Sequence, residues 1–118
     1  MSKNYPEITA HLTTLMRDLG KGIPGEMRGF GQLAESAKAA GVLDAKTKEL
    51  IACAISIALR CDGCIGFHTR NAIRVGASRQ EFMEMIGVAI MMGGGPSTVY
   101  GADALDAYDQ FAPAAPTG

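Results

Sequence analysis

The sequence predicts an all-α fold built from about six helices. Three observations carry this expectation. Apolar residues recur at three- and four-residue spacing, no stretch alternates apolar and polar residues over strand length, and Gly/Pro clusters cut the periodic segments into helix-sized pieces. The chain has 118 residues, 47% hydrophobic and 19% charged, which suits one packed domain spanning residues 1–118. Aromatics make up only 6% and Trp is absent, so Ala, Gly, Met and Leu must do the packing, which favours close helix–helix contact.

The first helix is read over residues 6–19, where Ile8, Leu12, Leu15, Met16 and Leu19 share a face before Gly20, Gly22, Pro24 and Gly25. A second follows over 24–40, with Met27, Phe30, Leu33, Ala34 and Ala37, and Gly41 ends it. Its internal Gly29 and Gly31 each cost ~1 kcal/mol relative to Ala. Asp44 caps a third helix over 45–60, which from Leu50 onward is apolar nearly all round. Such a helix belongs in the middle of a fold or in a subunit interface. Asp62-Gly63 reads as a tight joint, and a fourth helix covers 64–75, closed by Gly76. Ser78 and Glu81 form a capping box for a fifth helix reaching Met92. Gly93-Gly94-Gly95 breaks the chain, and Pro96 opens a sixth helix running to Phe111. Residues 112–118, with two prolines, read as a flexible tail.

Net charge is -1, and Lys and Arg are not clustered, so a nucleic-acid footprint is not expected. The polar N-terminus has no apolar core of signal-peptide type, and the longest apolar run, 50–59, is too short to span a bilayer. The expectation is a soluble cytoplasmic protein without a membrane partner. In that reducing setting a Cys-x-x-Cys pair is redox-active or metal-binding more often than it is a structural staple.

The informative stretch is Arg60-Cys61-Asp62-Gly63-Cys64-Ile65-Gly66-Phe67-His68. Two cysteines so spaced can close a disulfide, and a sulfur at a helix N-terminus is favoured as thiolate by unpaired N–H groups and the helix dipole. Cys64, in the first turn of the fourth helix, is assigned the lower pKa, with Cys61 closing or opening the disulfide. His68 lies four residues after Cys64 on the same face, where an imidazole can take or return a thiol proton. Glu49 lies ~18 Å of helix before Cys61, whereas His68 is only ~6 Å beyond Cys64. In a simple antiparallel hairpin Glu49 and His68 would not meet; contact needs a steep crossing, a bend or a bridging water. Zinc is the rival occupant, with Cys61, Cys64, His68 and Glu49 as a possible set. Covalent haem is excluded by Ile65, which stands where His should directly follow. Cys53 reads as a buried small hydrophobe, and Met83, Met85, Met91 and Met92 as core or interface filler. The Gly93-Gly94-Gly95-Pro96-Ser97 stretch lacks the Lys and spacing of a phosphate loop.

Glu49, then Cys61-x-x-Cys64, then His68 on a helical hairpin resembles the alkylhydroperoxidase D-like branch of the carboxymuconolactone decarboxylase superfamily. The similarity covers roughly residues 42–111, extending through Gly76-Ala77-Ser78, Glu81 and Met92-Gly93-Gly94-Gly95-Pro96. The resemblance implies an all-helical fold assembled as homotrimers or homohexamers, and no cofactor beyond the redox-active Cys61–Cys64 disulfide. It further implies reduction of a hydroperoxide, with electrons returned by a dithiol or thioredoxin-like reductant. On this carry-over Cys64 meets the peroxide, Cys61 resolves the sulfenic acid, and His68 with Glu49 forms a proton relay. One departure stands out: the characterised peroxidases carry a further His just before the second Cys, and this chain has Gly63. The decarboxylase branch lacks the Cys pair. Two alternatives stay open beside peroxide reduction: a general dithiol oxidoreductase acting on small disulfides, and a non-catalytic helical oligomer with a zinc or structural disulfide site.

Overall fold

Short-range chemistry sets most helix boundaries in the computed structural model, which describes residues 2–113 and contains six helices and no strand among them. Asn4 caps α1 (Tyr5–Gly22) by accepting the Glu7 N–H at 3.0 Å. This helix runs past the expected end at residue 19, because Gly20 and Gly22 weaken a helix without forbidding it. The stop comes from Pro24, which excludes the residue before it from helical conformation; Ile23 alone separates the two helices, at φ -133° and ψ 64°. α2 (Pro24–Lys38) ends short of the expected residue 40, where Ala39 turns extended. Asp44 caps α3 (Ala45–Ala58) as expected, accepting the Thr47 N–H at 2.7 Å.

α3 stops before the expected residue 60. Arg60 takes a left-handed conformation, φ 57°, donating to Ile57 O while the Cys61 N–H bonds Ser56 O. These are the paired bonds of a Schellman turn, usually built on glycine. α4 (Asp62–Arg74) therefore starts earlier than expected: Asp62 and Gly63 belong to its first turn, and the joint is Arg60-Cys61. α4 closes in the same kind of turn, this time on Gly76, as the sequence indicates. The Ser78/Glu81 capping box opens α5 (Arg79–Gly93), and Gly94, at φ 73°, is the single residue between it and α6 (Gly95–Phe111). Of the tail, residues 114–118 lie outside the described residues.

α3 packs against α2, α4, α5 and α6, while α4 lies against α1, α3 and α6. The core draws Cys53 and Ile57 from α3, Ile65 and Ala72 from α4, Phe82 and Ile86 from α5, and Ala104 and Ala107 from α6. Tyr108 stacks at a tilt on Phe82, with centroids 5.1 Å apart, and donates to Ala77 O at 2.8 Å, tying α6 to the loop before α5. α1 approaches α4 closely because two glycines line the contact. A Cβ at Gly63 would lie 2.6 Å from Leu12 Cδ1, and one at Gly66 2.7 Å from Thr9 Cγ2. α2 buries none of its residues.

The apolar circumference of α3 divides. Glu49, Cys53, Ser56 and Ile57 face inward, while Ile51, Ile55 and Leu59 are exposed. Val88, Met91 and Met92 are likewise exposed on the adjoining α5, and Met85 is buried. No described helix is long and apolar enough to cross a membrane.

Two expectations follow from these joints. Arg60→Gly relieves a left-handed side-chain residue and should raise stability by about 0.5–1 kcal/mol, read as a higher urea midpoint at unchanged m-value; a lower midpoint would contradict the turn. Glu81 pairs with Lys46 at 2.8 Å, and that ammonium, together with the Ser78 N–H, holds its carboxyl down to about 2. A depressed carboxylate stabilises the fold fully above its ordinary value of 4.5 and loses that contribution as pH falls towards 2. Thermal midpoints followed across that interval should fall more steeply for the wild type than for Glu81→Gln.

Candidate active site

The Schellman turn at Arg60 delivers Cys61 to the N-cap position of α4, with Cys64 in the helix's first turn. The two are joined in a disulfide with Cα atoms 5.2 Å apart, well within the range the linkage requires. Cys61 Sγ also accepts the Cys64 N–H at 3.2 Å, doing for α4 what a serine or aspartate oxygen does at other helix starts. Both sulfurs thus stand at the positive end of α4, and the cap sulfur holds the amide bond.

His68 Nδ1 lies 3.0 Å from Glu49 Oε2. Glu49 and His68 thus meet directly, contrary to the expectation for a simple antiparallel hairpin; α3 ends at Ala58, which shortens the stretch of helix between them. Glu49 is only 5% exposed, while His68 is half-open to solvent. With Nδ1–H donating to the carboxylate, Nε2 is left as a proton acceptor.

Cys61, Cys64 and His68 border one cavity of about 800 Å³, roofed by α2. Its walls are mostly apolar, among them Leu12 and Met16 of α1, Phe30 and Leu33 of α2, and Phe67 of α4. Cys64, Phe67, His68 and Asn71 all border it, at the spacing that puts residues on one helix face. That face was readable from the sequence; the participation of α1 and α2 was not, since nothing local signals which helices come to rest over the dithiol.

A second set of contacts escaped the sequence reading. Asp62, between the cysteines, accepts from Tyr5 Oη and from Lys3 Nζ, each at 2.9 Å, and Lys3 also bonds Asp103 at 2.8 Å. Burial and the neighbouring Asp62 push the Tyr5 phenol well above its ordinary value, so it stays a donor. The N-terminal segment thereby anchors the residue inside the dithiol loop.

Cys53 is 1% exposed, and burial together with the charge of Glu49 pushes its thiol up to about 12. It is a free, buried thiol, as the sequence indicates. His11 is exposed on α1, and no group of three or more His, Cys, Asp or Glu gathers among the described residues in a way that could hold a metal ion. Cys61 and Cys64 are engaged with each other in the disulfide.

Comparison with known proteins agrees with this geometry. The model of the carboxymuconolactone decarboxylase family matches residues 24–107. The chain belongs to the carboxymuconolactone decarboxylase family. Within that family it is 45% identical to a protein from Legionella pneumophila whose crystal structure superposes with a TM-score of 0.90 over 93% of this chain and 98% of the other. A Thermotoga maritima member, for which a part in the antioxidative response has been suggested, is 29% identical, with a TM-score of 0.73 over 83% and 86% of the two chains. An uncharacterised Cupriavidus necator protein is 37% identical over 106 residues, 87% of this chain and 94% of its own. The alkylhydroperoxidase D-like resemblance stands with these relatives.

The burial contrast among the cysteines predicts an alkylation pattern. After reduction, iodoacetamide near pH 8 should modify Cys61 and Cys64 and spare Cys53 until the chain is unfolded, as counted by mass spectrometry. Labelling of Cys53 in the folded protein at a comparable rate would contradict its placement.

Proposed function

We propose that this protein is a thiol-dependent hydroperoxide reductase of the cytoplasm, working through the Cys61–Cys64 dithiol with His68 and Glu49 as its proton relay. The observation that carries this is the convergence on one cavity of a disulfide at a helix N-terminus and an imidazole bonded to a buried carboxylate. The family's antioxidative association in the Thermotoga maritima member points the same way.

In the reduced protein, Cys64 gives its proton to His68 Nε2 and its sulfur attacks the distal peroxide oxygen. The O–O bond breaks, the sulfur becomes a sulfenic acid, and the proton passes from His68 to the departing alkoxide, releasing an alcohol. Cys61 then attacks the sulfenic sulfur; the S–S bond forms and hydroxide leaves with a proton as water. An external dithiol, small or thioredoxin-like, restores the pair by exchange at Cys64, and Cys61 leaves as a thiolate steadied by the Cys64 N–H. Glu49 fixes the His68 tautomer and balances the imidazolium that forms in each half of the cycle.

Gly63 supplies no side chain for this chemistry. It admits Leu12 across the first turn of α4, and a histidine there would have to displace that side chain. The relay is then His68 and Glu49 alone. A dithiol oxidoreductase acting on small disulfides is the alternative that the missing histidine favours. The exposed apolar stripe of Ile51, Ile55 and Leu59, continued by Val88, Met91 and Met92, supports association of copies into homotrimers or homohexamers.

One equivalent of cumene hydroperoxide should oxidise Cys61 and Cys64 to the disulfide, seen as the loss of two hydrogens by mass, and leave Cys53 free. Cys64→Ser should abolish this, and Glu49→Gln should slow it about tenfold or more. The peroxide assignment fails if the pair stays reduced while solution thiols oxidise. Faster turnover of small disulfides than of hydroperoxide would favour the alternative.

A further inference from the structure

The cavity carries a charge pattern that the dithiol chemistry does not use. Lys38, Lys48 and Arg70 border it, and no Asp or Glu does. None of the ion pairs of the described residues includes any of the three. Lys48 spends one donor on Ala39 O at 2.7 Å. Arg70 differs from both lysines: its Nε is buried and has no hydrogen-bond partner, while its guanidinium lies 5.3 Å from the Phe67 ring centroid. Burial, reinforced by the like charge of Arg74, works against the charged form of Arg70, yet a guanidinium stays protonated in proteins. Arg70, a part-buried cation with an unsatisfied donor at an apolar wall beside the disulfide, has no anionic partner among the described residues. A planar N–H fork fits carboxylate or phosphate oxygens.

We propose that this cavity binds an amphipathic small molecule, its apolar chain against Leu12, Met16, Phe30, Leu33 and Phe67 and its anionic head group on Arg70. Hydroperoxides bearing an acidic head are then the substrates the site selects. That last clause rests on the peroxide reading given above; the binding itself does not.

The test uses the oxidised 118-residue chain, in which no turnover occurs, with octanoate, octyl phosphate and octan-1-ol titrated by calorimetry. At low salt at least one of the two anions should bind about tenfold more tightly than the alcohol, and the tighter one identifies the head group. Arg70→Gln should erase that preference. Should this variant fail to fold, the wild type still decides: the anion preference must shrink with rising ionic strength while octanol affinity holds. Equal affinity for all three probes, or binding of none, overturns the proposal. So does an Arg70→Gln protein that keeps the anion preference but changes its sedimentation mass, which would assign Arg70 to an acid on a second copy. Anion binding by a dithiol inert to hydroperoxide supports the pocket and removes only the peroxide reading. Hydroperoxide turnover without any preference for acidic substrates overturns the selection of acidic substrates and leaves the peroxide reading standing.

Discussion

The junction at Arg60 and Cys61 has to end one helix and begin another within three residues, Leu59 to Cys61. A left-handed arginine closes α3, and the next residue caps α4 with its sulfur. Everything reactive hangs from this arrangement. Cys61 is simultaneously a helix cap and half of the disulfide, so a covalent cross-link and the dipole of α4 act on the same atom. A longer loop here would satisfy the backbone equally well, but it would let the two sulfurs drift relative to the helix that polarises them.

The second constraint is the buried carboxylate of Glu49. Taking an anion out of water is costly unless it finds a hydrogen-bonding partner, and the partner it finds is His68 on the neighbouring helix. The pair therefore has a structural reason to exist as well as a chemical one. It fixes how α4 lies on α3 and, in the same contact, orients the imidazole towards the cavity. Gly63 and Gly66 complete the placement, since only residues without a Cβ let α1 come down onto α4 with Leu12 and Thr9 in contact. On the far side of Asp62, Tyr5 and Lys3 tie the start of the chain to the dithiol loop.

The division of apolar surface follows from the same packing. α3 turns Glu49, Cys53, Ser56 and Ile57 towards the interior and leaves Ile51, Ile55 and Leu59 outside. A buried carboxylate beside Ile57, with three large aliphatic side chains outside, departs from the usual pattern. α2, which buries none of its own residues, still supplies Phe30 and Leu33 to the cavity, so its apolar side works as a wall rather than as core.

The sequence by itself determined the helices and the reactive pair. Caps at Asp44, Ser78 and Glu81, the stop at Gly76 and the break at Gly94 depend on atoms three or four residues apart, and such contacts are written in local order. The same locality made Cys61, Cys64 and His68 readable together, and made Cys53 recognisable as buried. Where boundaries moved, the missing information was backbone conformation: no local rule announces that Arg60 turns left-handed, and so the start of α4 at Asp62 was hidden. Only the tertiary structure decided that Glu49 touches His68, that Asp62 is held by Tyr5 and Lys3, and that Arg70 stands unpaired at an apolar cavity. Each of these depends on how one helix crosses another. Crossing geometry is set by side chains meeting across the whole fold, such as Leu12 over Gly63, and not by the spacing of residues along any one helix.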